Sequence, residues 1–353
     1  MRTVAVIAWL VVLTGSAGAI EVEVVASAPH GLFYLLECLR EEPHHSQQLR
    51  EVFRARHPLS SEEESALADY RALMEGRWAN LTFPATEIQE RSLAHVLEVL
   101  AVRADSVPHF LEDARALLGP ADSAVLTRAC KLLEPSYRQL VWESSRPDLE
   151  RQIGELKAQF EHGGANDRLQ QAARFYESRW PADQGFLVVL TPVPREPGQK
   201  IVTHGHSNGH LQVVEAASGA TQREAASVVF HELCHALYGT RAPEAEQELV
   251  GWFAGDSYPY QQLNEALATA VGNAWFHRLL TGDVPSKPWY HDTYVDGYAR
   301  EVYPLVEEYL HEGRSLDELF AARAAAAFAA RFPQAGHDPA LVLRRVLLLA
   351  LDE

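Results

Sequence analysis

The segment Ala225-Ala-Ser-Val-Val-Phe-His-Glu-Leu-Cys-His-Ala-Leu-Tyr238 constrains this chain more than any other. It is apolar nearly all round, and a helix that is apolar on most faces is a buried one. Yet it carries His231, Glu232 and His235, which are costly to bury unless something satisfies them. Residues four apart share one face of a helix, so the two imidazoles can hold one metal ion side by side. Glu232 lies next to His231, close enough to polarise a water at that metal. H-E-x-x-H on a helix is a pattern suited to zinc hydrolysis. Thr221-Gln-Arg-Glu224 reads as a capping box before the helix, and Gly239 as its stop. The alternative is a pair of core histidines bonded to backbone.

Catalytic zinc keeps three protein ligands and one open position, so a third ligand is needed. A histidine soon after the motif, as in the metzincins, is excluded: His235 is followed by ALYGTRAPEAE. Downstream, Tyr260-Gln-Gln-Leu-Asn-Glu-Ala-Leu-Ala268 opens a second apolar helical stretch. It runs to about Leu280, closes at Gly282 and has Pro259 in its first turn. Here Asn264-Glu265-Ala-Leu-Ala268 resembles the second-helix motif of the gluzincin zinc peptidases, the thermolysin-like group. The resemblance implies His231, His235 and Glu265 as ligands of one Zn²⁺ and Glu232 as general base. It covers about residues 221–280 and departs from the family in two places. The 29 residues between His235 and Glu265 (236–264) are more than the thermolysin and aminopeptidase branches have. Thr269 stands where many gluzincins have an aspartate that orients a histidine ligand. Its hydroxyl can accept from an imidazole without supplying charge, or bond back to its own helix. Glu244, Glu246 and Glu248 are rival carboxylates whose spacing reads as a solvated face.

The amino terminus bears on compartment. Arg2, an apolar run from Val4 to Thr14, and Ala17-Gly18-Ala19 match a secretory leader over residues 1–19. The expectation is an exported protein, periplasmic or secreted, with no membrane insertion of the mature chain. Beyond the leader, 353 − 19 = 334 residues remain, enough for a sizeable core. A net charge of −17 argues against nucleic acid or an anionic membrane as partner and favours retention of a divalent cation. Of three cysteines, Cys234 reads as helix packing, and export would permit a disulfide between Cys38 and Cys130. Asn80-Leu-Thr82 matches a glycosylation acceptor.

The periods along the chain predict an α+β, mostly helical fold. Residues 21–27, 185–194 and 210–216 read as strands; most of 32–175 reads as helix punctuated by Pro58, Pro84, Pro108, Pro120, Pro135 and Pro147. The expected organisation is a helical N-terminal region (20–180), a catalytic region (181–300) and C-terminal helices (301–353). The resemblance implies a zincin-like lobe in the second of these, with a small antiparallel or mixed sheet beside the metal helix. Strand 210–216 is expected at an exposed edge, where an extended peptide can add by main-chain hydrogen bonds. His204, His206 and His210, three histidines in seven residues, are able to bind metal, but they lack an accompanying carboxylate or cysteine and read as a polar hairpin connection, with a place beside the cleft as the functional alternative. His44-His45 reads as a surface pair. Within Trp289–Ala299, Tyr294, Tyr298 and His291 are candidate oxyanion donors, Tyr298 foremost; residues four apart there also suit a core.

These readings converge on an exported zinc metallopeptidase acting on a peptide or protein substrate. In that reading Glu232 activates a water at the zinc and passes its proton to the leaving amine. A non-catalytic binding protein on the same scaffold, or an amidase on a non-protein amide, are the alternatives. The intact Glu232 favours catalysis, because a structural metal site has no use for it.

Overall fold

The computed structural model describes residues 20–41, 45–75, 78–80, 90–181, 184–195, 205–218, 225–253 and 257–337. The leader at 1–19, the capping box at 221–224, His44, His204 and Leu81-Thr82 of the acceptor motif lie outside the described residues.

The chain begins with strand β1 (Val22–Val25) and helices α1 (Ala28–Leu39), α2 (Gln47–Arg56) and α3 (Ser61–Met74). An antiparallel pair follows, β2 (Trp78–Asn80) with β3 (Glu90–Ser92). Then come α4 (Leu93–Arg103), α5 (Val107–Leu118), α6 (Pro120–Tyr137), a π turn at 138–142, α7 (Glu143–Gly163) and α8 (Ala165–Tyr176). The first five helices all start at a serine, Ser27, Ser46, Ser60, Ser92 and Ser106, whose side chain accepts from the N3 backbone N–H. Pro108 and Pro120 sit in first turns, where their missing N–H costs nothing. Pro135 and Pro147 do not punctuate as expected; they lie inside α6 and α7, on either side of the π turn.

Three strands follow, β4 (Phe186–Val193), β5 (Gly205–Asn208) and β6 (Leu211–Ala217). The rest is helical: α9 (Ala225–Gly239), α10 (Pro243–Trp252), α11 (Tyr258–Gln261), α12 (Leu263–Ala268), a π stretch Thr269–Phe276, α13 (His277–Thr281), α14 (Thr293–Glu312) and α15 (Glu318–Arg331). The protein is thus mostly helical with one small mixed sheet of order β1-β4-β6-β5. β1, β4 and β6 run parallel, and β5 pairs antiparallel with β6.

The sheet is buried on both faces. Val188, Leu190, Val214 and Ala216 face one core, shared with α7, α8, α9 and the helices after it. Val189, Val193, Leu211 and Val213 face a second core, built by α1–α6. This alternation is the two-residue period of a strand. It explains why β4 and β6 read as nearly continuous apolar runs.

Cys38 and Cys130 both lie in the second core as free, buried thiols, not as a disulfide. Burial pushes both thiols well above their usual range, so neither is a ready thiolate. Cys234 is buried in α9, as its packing role requires.

Candidate metal centre

α9 enters the first core with His231 buried and Glu232 and His235 half-buried along one side. The π stretch after α12 lies against it. Gly272 makes that approach possible: a Cβ there would come within 2.5 Å of the His231 backbone N and Cα. One continuous helical path, α12 through α13, therefore crosses α9 at close range and ends at Gly282, whose φ of +91° suits glycine. It places Glu265 opposite the two histidines.

The three groups converge. His231 Nε2 lies 3.1 Å from Glu265 Oε1, His235 Nε2 lies 3.4 Å from Glu265 Oε2, and the two Nε2 atoms are 3.0 Å apart. A tetrahedral ion with bonds of about 2.0–2.1 Å has ligand atoms about 3.3 Å from one another. The observed triangle fits that ion. The donor set, two imidazoles and a carboxylate, suits Zn²⁺ better than the all-oxygen preference of Ca²⁺ or Mg²⁺. The other nitrogen of His235 is engaged: Nδ1 donates to Asn264 Oδ1 at 3.1 Å. In the neutral ring that bond keeps the proton on Nδ1, so that Nε2 could offer its lone pair to an ion in the triangle.

The electrostatics follow from the same contacts. Burial pushes the Glu265 carboxyl up, but hydrogen bonds from His231 and His235, and their charge, hold it well below the usual carboxylate range. Burial pushes His235 down, and Glu265 more than reverses this, so its pKa is raised. Thr269 takes neither expected role. It is fully buried, and its hydroxyl hydrogen-bonds neither an imidazole nor its own helix. The rival carboxylates do not join the triangle. Glu246 is held by Arg241 and Tyr260, Glu244 meets Arg179 at the surface, and Glu248 is exposed.

The foremost oxyanion donor was misplaced by sequence. Tyr298 lies wholly inside the core on α14, edge-on to Phe328, with its hydroxyl unbonded. Its spacing with Tyr294 and Val302 is core spacing, the other reading of that stretch. Tyr294 packs on Phe332. The aromatic at the centre is Tyr290, which precedes α14. Its ring lies parallel to His231, with centroids 5.9 Å apart and planes at 12°. Burial pushes its phenol up, as do the charge of Glu265 and a hydrogen bond to it. His291 touches this ring from beside it. Asn273, one residue beyond Gly272, donates to the Trp289 carbonyl at 2.9 Å and so anchors this segment.

The edge of the sheet also differs from expectation. β6 is an interior strand, buried throughout between β4 and β5. The histidine-rich connection itself supplies the edge. Gly205–Asn208 folds back on Leu211–Val214 through a turn with Gly209 at φ +62°. This segment has no alternation of apolar residues, so its sequence carries no strand signal. A Cβ on Gly205 would lie 3.4 Å from Glu232 Cγ and Oε1, so β5 passes directly beside the candidate base. The neighbouring residue, His206, points to the opposite face and meets Glu98 of α4, with Nε2 2.9 Å from Oε1. His210 meets Arg103 near the surface.

No family model, curated protein or solved structure matches this chain. Among the described residues no helix is long and apolar enough to cross a membrane.

Proposed function

We propose that this chain is a zinc-dependent hydrolase of amide bonds, a metallopeptidase of gluzincin type with a zincin-like catalytic lobe, acting outside the cytoplasm. The observation that carries the reading is the triangle of His231, His235 and Glu265, with Glu232 on the same helix and β5 alongside. Zinc held by those three residues would acidify a water and polarise a carbonyl. Glu232 then has two tasks. It takes the proton from the attacking water and returns it to the leaving amine. The Tyr290 phenol, beside His231 and Glu265, is the donor available to the developing oxyanion.

A peptide substrate is favoured by the place of β5 at the end of the sheet, where among the described residues it pairs with β6 alone. An extended chain can add to that edge and lie across Glu232, with Gly205 leaving room because it has no side chain. The edge strand expected at 210–216 is thus replaced by 205–208 as the rail. The test pairs metal analysis with hydrolysis of peptide and small-amide panels, wild type beside Glu232→Gln. We expect about one zinc at this centre in both proteins and a loss of about 10²–10⁴-fold in turnover for the variant. Peptides N-methylated at the pairing amides should bind worse than their parents. Zinc-loaded wild type that is inert on both panels would make this a binding protein. Turnover of small amides alone, or indifference to N-methylation, would make it an amidase.

A further inference from the structure

A second group of metal-ligand side chains lies behind β5, on the face of the sheet away from α9. His45 in the connection from α1 to α2, Glu98 on α4 and His206 on β5 present donor atoms that all lie within 4.8 Å of one another. These residues are 53 and 108 positions apart in sequence (45 to 98, 98 to 206), so no motif announces them. The set repeats the donor chemistry of the first centre: two imidazoles and one carboxylate.

Three features of the surroundings bear on what this group does. First, Glu98 is 2% exposed, and among the described residues no lysine or arginine pairs with it. A carboxylate so deep needs a cation or a full set of donors. It receives a hydrogen bond from Asn208 Nδ2 at 2.9 Å and meets His206 at 2.9 Å. Second, two further imidazole nitrogens are stranded there. His45 Nδ1 is buried without a hydrogen bond. His30 is fully buried, and its Nε2 also makes none; its nearest acceptor is Glu98 Oε1 at 3.5 Å. A hydrogen-bonded cluster built for its own sake would satisfy these atoms. Third, the pocket is walled. Tyr34 lies parallel to His206 and packs at a tilt of 42° against His45, and its hydroxyl donates to Glu215 at 2.7 Å, while Thr191 meets His30 Nδ1 at 3.3 Å.

The geometry points to a second, structural metal site, in which His45, Glu98 and His206 hold one divalent transition ion, zinc being the borderline-soft ion that suits them. His30 stands at the same carboxylate oxygen. The ion joins three elements distant in sequence: the α1–α2 connection, α4 and the edge strand. It would take the place of the proton between His206 and Glu98 and give the His45 imidazole a partner. Because β5 carries Gly205 against Glu232 on its other face, the ion also fixes the strand that borders the first centre. The inference stands whether or not the first centre is catalytic.

The test counts metal in the full chain, stripped with a chelator and reloaded with Zn²⁺ alone. Wild type should hold two equivalents. His231→Ala should hold one, His45→Ala one, and the double variant none. In the His231→Ala background, added zinc should still raise the melting temperature, and His45→Ala should abolish that rise. An anomalous difference map at the zinc edge should place a peak among His45, Glu98 and His206. Glu98→Gln gives a second count if it folds by circular dichroism; His45, in a half-buried turn, keeps the test available if it does not. One equivalent in wild type, unchanged by His45→Ala and abolished by His231→Ala, would show an ion-free cluster and overturn the proposal. Inert wild type with two equivalents would overturn only the hydrolase reading.

Discussion

At the scale of single residues, the chemistry-bearing positions divide by whether one helix fixes their direction. His231, Glu232 and His235 were legible because residues one and four apart on one helix have determined relations. Glu265 was legible only through its Asn-Glu context, since two helices had to be brought together. Asn264 was visible in that motif but its task was not: it accepts from His235 Nδ1. Asn264→Ala should keep the fold and weaken zinc binding by about 10–100-fold, read by competition with a chromogenic chelator. Unchanged affinity would leave His235 oriented by something else. Tyr290 was passed over because it precedes the helix, where no period says which way a side chain points. Tyr298 stands foremost among the sequence candidates, but its spacing with Tyr294 and Val302 also suits a core, and the core is where it lies. The two tyrosines therefore make a paired prediction. Tyr290→Phe should lower kcat by about 10²–10³-fold with zinc retained. Tyr298→Phe should leave kcat within about twofold, because its hydroxyl makes no hydrogen bond and lies in the core.

At the scale of elements, the second helix of the centre was predicted as a regular helix from Tyr260 to Leu280. Its extent is close, but residues 269–276 form a π stretch. A π turn carries an extra residue per turn and so changes which side chains face the neighbour. Periodicity cannot announce it, because nearly all the residues inside it are buried and apolar side chains stand on most of its sides. Its consequence lies at Gly272, which meets the backbone of His231. Gly272→Ala must push the two helices apart, since backbone cannot swing aside as a side chain can. Overpacking of this kind costs about 1–3 kcal/mol, and the shift should separate Glu265 from the imidazoles. We expect a lower melting temperature and loss of stoichiometric zinc together, measured by thermal denaturation and metal analysis. Full zinc content in a stable Gly272→Ala protein would show that the helices do not need this contact. The edge strand failed to register in sequence for a different reason. β5 is short and polar, and edge strands resist unwanted pairing when they are built that way.

At the scale of the whole molecule, the division at residue 180 is not where the packing divides. β1 belongs to the N-terminal segment, yet it pairs in register with β4, Val22 with Phe186 through Val25 with Val189. α7 and α8 share the core of α9, whereas α1–α6 build the core on the other face of the same sheet. The two cores meet through the strands themselves: Val213 faces one and Val214 the other, and both are 1% exposed. Sequence could give the strands and helices of each region but not their sharing of one sheet, since parallel pairing between residues 22 and 186 leaves no local trace. A shared sheet couples the two cores, because neither can melt without exposing the back of the other. Val213→Ala and Val214→Ala should therefore destabilise one and the same cooperative transition. Each removes two methyl groups from a filled core, about 1.5–3 kcal/mol with the cavity included. At about 2–4 °C per kcal/mol for chains of 150–250 residues, and somewhat less for a longer one, both variants should lower a single melting temperature by several degrees. Calorimetry decides the matter. Two resolved transitions, with Val213→Ala moving one and Val214→Ala the other, would mean that the N-terminal helices and the metal-bearing helices fold as separate units and that the sheet belongs to only one of them.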